Sequence, residues 1–256
     1  MITWLLALIG IFAVLVYVRK AKRPKEIFLE PLSSMSDQNL SCVPDEPRWL
    51  SPDQNPFKMT VLDCRPVTTT SVSWTDLQTA KTYGELCRSN GEGYAETSPQ
   101  NATRSEAVLW YPYLGPEPAD GPLFTSESME EKWHVYIYAK TLYFVRSWTG
   151  QLVYKAPISF ENSAVTVGPI TFDRKLAANA TDATRDVDFL VCSHLFKILA
   201  LAPFSASLGQ QAQDIATHLF EWFGDFAHYA SMEDTISANA NQLRKTVDSH
   251  ATKPSV

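Results

Sequence analysis

The 256-residue chain has no basic residue before Arg19, no closely paired cysteines and none of the compact catalytic signatures. It lacks G-x-S-x-G, H-E-x-x-H, G-x-x-x-x-G-K-[ST] and G-x-G-x-x-G. Those absences remove the nucleophile elbow, the zincin helix, the phosphate loop and the dinucleotide turn. Its "GEG" at 91–93 follows an expected helix rather than a strand, so it lacks the context of a phosphate loop. Cys42, Cys64, Cys87 and Cys192 include no C-x-x-C pair and no zinc-like grouping, and no cofactor is expected. A net charge of -6 and a pI near 5.4 give no support for a nucleic-acid partner, which calls for a basic face. No internal repeat is present. Against these absences stands a 45% hydrophobic content with 30 aromatic residues, which excludes wholesale disorder.

Charge is also missing from one long stretch. Residues 2–18, "ITWLLALIGIFAVLVYV", hold no ionisable group except Tyr17. As a helix they would span about 25 Å, within the range of a membrane crossing. Trp4 and Tyr17 stand where interfacial aromatics belong, and a basic flank of Arg19, Lys20, Lys22, Arg23 and Lys25 follows. A cleaved secretory signal would need a basic leader and a small-x-small site after the run, and neither is there. The run therefore reads as a retained single-pass anchor (a signal-anchor) with the lipid bilayer as partner. All five basic residues lie on its C-terminal side, so the N-terminus is expected outside and the remainder in the cytoplasm. Cysteines in that compartment are expected as free thiols, with Cys64 and Cys192 buried. Disulfides, and glycosylation at Asn39, Asn101 or Asn179, belong only to the inverted topology.

Four regions follow from composition: an anchor at 1–20, a proline-rich linker at 21–56, a soluble domain at 57–230 and a polar tail at 231–256, expected to be disordered. Within the domain, "KMTVLDC" and "AVLWYPY" read as strands. Thr75 with Gln78 suggests a capping box for a helix from about Asp76 to Arg88, and Ser207 with Gln210 suggests another. "WHVYIY", "LYFVRSW", "QLVYKAPI" and "AVTVGPITF" read as an antiparallel meander, and two helices are expected over 184–202 and 207–230. The expected fold class is α+β: an N-terminal membrane helix, then an antiparallel sheet with helices gathered on one face.

Two constellations are candidate sites. A two-residue turn at Ala139-Lys140 would set Arg146 opposite Trp133, and a second at Thr149-Gly150 would add Trp148, with Lys155 nearby. Trp133, Arg146 and Trp148 could then bind a carboxylate or phosphate; alternatively Arg146 pairs with Glu130 or Glu131 as a structural group. His218, Glu221, Asp225 and His228 follow the 3-4-3 spacing of one helical stripe, which could ligate a metal or simply face solvent. Cys64 with His134 or His194 is a weaker nucleophile pairing. The expected function is that of a membrane-tethered interaction or scaffolding module with a protein partner. The alternative is a membrane-anchored, hydrolase-like enzyme working near Trp133, Arg146 and Trp148.

Overall fold

The computed structural model describes residues 43–161 and 163–251, the last four without their side chains. The apolar run 2–18, its basic flank and most of the expected linker lie outside these residues. Among the described residues no helix is long and apolar enough to cross a membrane. The folded region is a mixed α+β structure with antiparallel sheets and few helices. In chain order it holds β1 (Arg48–Leu50), β2 (Val61–Asp63), α1 (Arg65–Thr68), α2 (Leu77–Leu86), β3 (Ala102–Ser105), β4 (Leu109–Pro112) and β5 (Gly121–Phe124). The meander follows as β6 (Trp133–Tyr138), β7 (Thr141–Arg146), β8 (Leu152–Glu161), β9 (Ala164–Val167) and β10 (Ile170–Asp173). The chain then passes through α3 (Ala180–Leu190), β11 (Leu201–Pro203), α4 (Ala212–Phe223), β12 (Tyr229–Ser231) and α5 (Thr235–Ala251).

The larger sheet runs β3-β10-β8-β7-β6-β5. The ten-residue β8 is long enough to pair with β10 along its first half and with β9 along its second, and β9 in turn pairs with β4. Ala139 and Lys140 both adopt positive φ (45° and 55°), the geometry that lets a two-residue turn follow strand twist. That turn sets the register Trp133↔Arg146 through Tyr138↔Thr141. Alternation then divides the residues between faces. Trp133, Val135, Ile137, Leu142, Phe144 and Tyr154 enter the main core, where they meet Val187 and Phe189 of α3 and Leu219 and Phe223 of α4. Tyr136, Tyr143, Val145 and Leu152 point the other way and pack with Tyr94.

This second face corrects the expectation of helices on one side only. Tyr94, in a short 3-10 turn (Glu92–Tyr94), stacks on Tyr136 with ring centroids 5.7 Å apart. A Cβ on Gly91, at φ 81°, would lie 2.1 Å from Cδ1 of the Tyr136 ring. The sheet is apolar on both faces because both are covered.

Several expected boundaries move. The linker was expected to run to residue 56, yet β1 lies inside it and pairs with β2 beyond it; three residues are too few to show a period in the sequence. The tail expected to be disordered forms α5, whose Leu243 is fully buried and whose Ala238 packs with Leu50, Val61, Leu201 and Tyr229. Asp76 rather than Thr75 caps α2, its Oδ1 accepting from the amides of Gln78 and Thr79. Asn179 caps α3 by accepting from the Asp182 amide. The two long C-terminal helices are shorter than expected, because β11 and β12 take their ends and pair in parallel in a smaller sheet ordered β1-β2-β12-β11.

Gly224 terminates α4 at φ 80°, ψ -152°, a conformation nearly confined to glycine. A Cβ there would lie 2.1 Å from the Glu130 carbonyl oxygen. Gly209 has similar dihedrals (φ 83°, ψ -164°) but open space around it. Gly224→Ala should therefore cost about 2–4 kcal/mol, combining backbone strain with a clash, and Gly209→Ala only the strain of about 1–2 kcal/mol. Urea unfolding of the two variants checks the difference; equal losses would mean that the contact with Glu130 is immaterial.

Candidate functional site

Arg146 closes β7 directly opposite Trp133, and α4 ends above both. Its guanidinium carbon lies 4.9 Å from the ring centroids of Trp133 and of Trp222. Nη2 donates to the Glu221 carbonyl at 2.8 Å, and Nη1 donates to the Trp222 carbonyl. The last carbonyls of a helix have no intrahelical partner and carry the negative end of its dipole, so a cation there is favoured twice. The Trp133 indole also donates to the Trp222 carbonyl, at 2.7 Å. Burial lowers the guanidinium to about 10, which leaves it charged at neutral pH. Its partners are thus backbone carbonyls of α4 rather than Glu130 or Glu131.

The network continues inward. The Trp222 indole donates to Asp186 Oδ2 at 2.9 Å, and the Tyr154 hydroxyl donates to the same oxygen at 2.5 Å. Burial raises Asp186 to about 6 against these two hydrogen bonds. Two residues further along α3, fully buried Asp188 accepts from Tyr111 at 2.9 Å and from Asn239 Nδ2 at 2.9 Å; burial raises it to about 7.

Trp148 stands apart from this cluster. After Arg146 the strand ends: Gly150 N–H donates to the Arg146 carbonyl and Arg146 N–H to that of Gln151. Residues 147–150 therefore form a four-residue loop instead of a two-residue turn at Thr149-Gly150. Trp148 donates its indole N–H to the Met129 carbonyl at 2.8 Å. Lys155 pairs with Tyr143 on the opposite face, and its ammonium donates to the Thr97 carbonyl.

Beside Trp148 lies a group that no local motif distinguishes. Lys132 is 4% exposed, and its Nζ sits 4.2 Å from the Trp148 ring centroid and 4.8 Å from that of Phe220. It donates to Ser73 Oγ at 2.6 Å and to the Met129 carbonyl at 2.7 Å. Among the described residues no carboxylate lies within ion-pair distance of it. Burial lowers Lys132 to about 8, partly offset by the field of Glu130. Ser73 comes from the loop between α1 and α2, and its amide donates to Glu130 Oε1 at 3.0 Å. Fifty-nine residues separate Ser73 from Lys132, so no local pattern could have revealed the contact.

The stripe His218, Glu221, Asp225 and His228 is not continuous. His218 and Glu221 are exposed on α4, but the helix stops at Phe223. Gly224 redirects the chain, Asp225 enters a 3-10 turn (Gly224–Phe226), and the His228 carbonyl accepts from the Cys64 amide at 2.8 Å. Among the described residues no three His, Cys, Asp or Glu side chains are grouped to hold a metal.

Cys64 and Cys192 are buried free thiols, and burial pushes both upward, away from thiolate reactivity. His134 accepts from the Ser126 amide, and His194 lies 4.2 Å from the Phe226 ring centroid. Burial lowers these imidazoles to about 4 and about 3. Cys64 hydrogen-bonds the Leu62 carbonyl and neither histidine. Elsewhere, a cleft of about 310 Å³ lies between Tyr113, Leu114, Phe160 and Glu161, and it contains none of the candidate residues.

The loop that carries Ser73 and the first residue of α2 together hold three of the large apolar side chains that are well exposed among the described residues. Val72 is 72% exposed, Trp74 89% and Leu77 88%. Comparison with protein-family models, with curated proteins and with solved structures gives no match.

Proposed function

We propose that the chain is a membrane-tethered interaction module that engages a protein partner through Val72, Trp74 and Leu77. Residues 2–18 would lie in the bilayer with the N-terminus outside, and the folded region would work in the cytoplasm. The supporting observation is the near-complete exposure of Trp74 and Leu77 on one short segment. Single exposed apolar residues are common, but a tryptophan, a leucine and a valine together offer on the order of several hundred Å² to a partner. The segment is also held in place. The Ser73 amide is tied to Glu130, and the Asp76 side chain caps α2 immediately after it. Such pre-ordering reduces the entropy lost on association. The complementary surface is an apolar groove able to seat an indole, bordered by a donor or cation for Asp76.

A photo-crosslinking side chain placed at position 74 of the full chain, in native membranes, tests the surface. A discrete adduct is expected from position 74 and none from exposed Arg104, on the outer strand β3. No adduct, or equal adducts from both positions, overturns the reading. Protease added outside intact cells should leave the folded region uncut, and digestion would reverse the orientation.

A further inference from the structure

We propose that Ser73 and Lys132 form a nucleophile–base pair able to attack esters of apolar acyl groups. The geometry is that of a serine hydroxyl 2.6 Å from a lysine amine buried between Trp148 and Phe220. The protonated amine donates to Oγ while the hydroxyl donates to the Met129 carbonyl at 3.3 Å, a long bond that the hydroxyl exchanges for Nζ once the amine is neutral. Serine needs an adjacent base to become nucleophilic, and a lysine does this work when desolvation favours its neutral form. Lys132 meets that condition, with burial holding it near 8. Four charged groups act on it: Glu130 on its own loop, Glu221 on α4 and Asp225 beyond α4 favour the ammonium, and Arg146 on β7 opposes it. Ser73 is only half-buried, and its neighbours Val72 and Trp74 are exposed apolar side chains suited to an acyl chain. The Trp74 N–H, immediately after the serine, has no partner among the described residues. It is a main-chain donor of the kind that stabilises a developing oxyanion.

In the reaction, Ser73 Oγ bonds to the acyl carbon as its proton passes to neutral Lys132 Nζ. The tetrahedral intermediate expels the alcohol, which takes that proton. Water then attacks the acyl-serine, giving up a proton through Lys132 and releasing the carboxylic acid with the serine restored.

The full chain in detergent, treated with an alkyl fluorophosphonate, provides the test. Oγ–P would form, P–F would break, and fluoride would leave as Lys132 takes the serine proton. Peptide mass spectrometry should place the adduct on Ser73, with a rate that rises towards a plateau around pH 8–9. Ser73→Ala should abolish the adduct while leaving crosslinking from position 74 intact, which separates this proposal from the partner reading. Lys132→Arg keeps a cation and its hydrogen bonds but remains protonated. It should slow labelling at least tenfold in protein whose circular dichroism matches the parent chain. Absence of Ser73 labelling at pH 9, or undiminished labelling in folded Lys132→Arg, overturns the proposal. The purely structural role of Lys132 predicts those outcomes.

Discussion

Arg146→Ala is expected to lower the stability of the folded region by about 3–5 kcal/mol. The substitution removes both guanidinium donors from the end of α4 and leaves the Glu221 carbonyl without that partner. It also removes the cation from between Trp133 and Trp222, where each contact contributes about 0.5–2 kcal/mol. The loss falls short of the sum of these contributions because the buried charge no longer has to be desolvated. Arg146→Lys should recover less than half, since an ammonium is a point donor and cannot span two successive carbonyls as a planar fork does. Urea unfolding followed by far-UV circular dichroism measures both variants. A loss below about 1 kcal/mol for alanine would mean that α4 is anchored without Arg146, returning the guanidinium to consideration as a ligand group.

The second large effect is a dependence on pH. Asp188 is raised to about 7 in the folded chain, against about 3.9 when unfolded. A carboxyl raised on folding contributes stability that is complete below the unfolded value and disappears as pH climbs through the folded one. Asp186, raised to about 6, acts in the same sense. His134 and His194 oppose them below pH 6.5: their depressed values give stability that is present above 6.5 and lost as pH falls towards 4 and 3. Above pH 6.5 the histidine contribution is complete, and Asp188 is the principal one of these four groups still titrating. Asp188→Asn offers an amide oxygen to Asn239 and an amide N–H to the Tyr111 hydroxyl, and it has no charge to bury. Relative to the parent chain, its stability should therefore improve by about 2–3 kcal/mol between pH 5 and pH 8. Parallel urea midpoints at the two pH values would remove Asp188 as the source.

Much of the larger sheet was legible in the sequence, because strands of four residues or more with aromatic and β-branched alternation carry a period that can be read. The turn at Ala139-Lys140 then sufficed to place Trp133 against Arg146, and the burial of Cys64 and Cys192 followed from their apolar neighbours. Of the smaller sheet only β2, within "KMTVLDC", was legible. Its strands are three residues long, and β11 lies within the apolar stretch 198–204, which reads equally well as the end of a buried helix. The His218–His228 stripe failed for a related reason. Helical spacing was extended through Gly224, a residue whose lack of a Cβ permits the turn that ends α4. The contact of Ser73 with Lys132, and that of Asn239 with Asp188, join distant segments through side chains that look ordinary in their local context.

The position of β2 sets a condition on synthesis. It lies between β1 and β12, so Val61–Asp63 has a neighbour on its second side only once Tyr229–Ser231 has left the ribosome. Until then a fully buried strand of the finished molecule exposes one hydrogen-bonding edge, which is the usual point of attack for aggregation. A message truncated anywhere upstream of Tyr229 would yield a product with that edge permanently open. Cells could recognise such a product as incomplete from its surface alone.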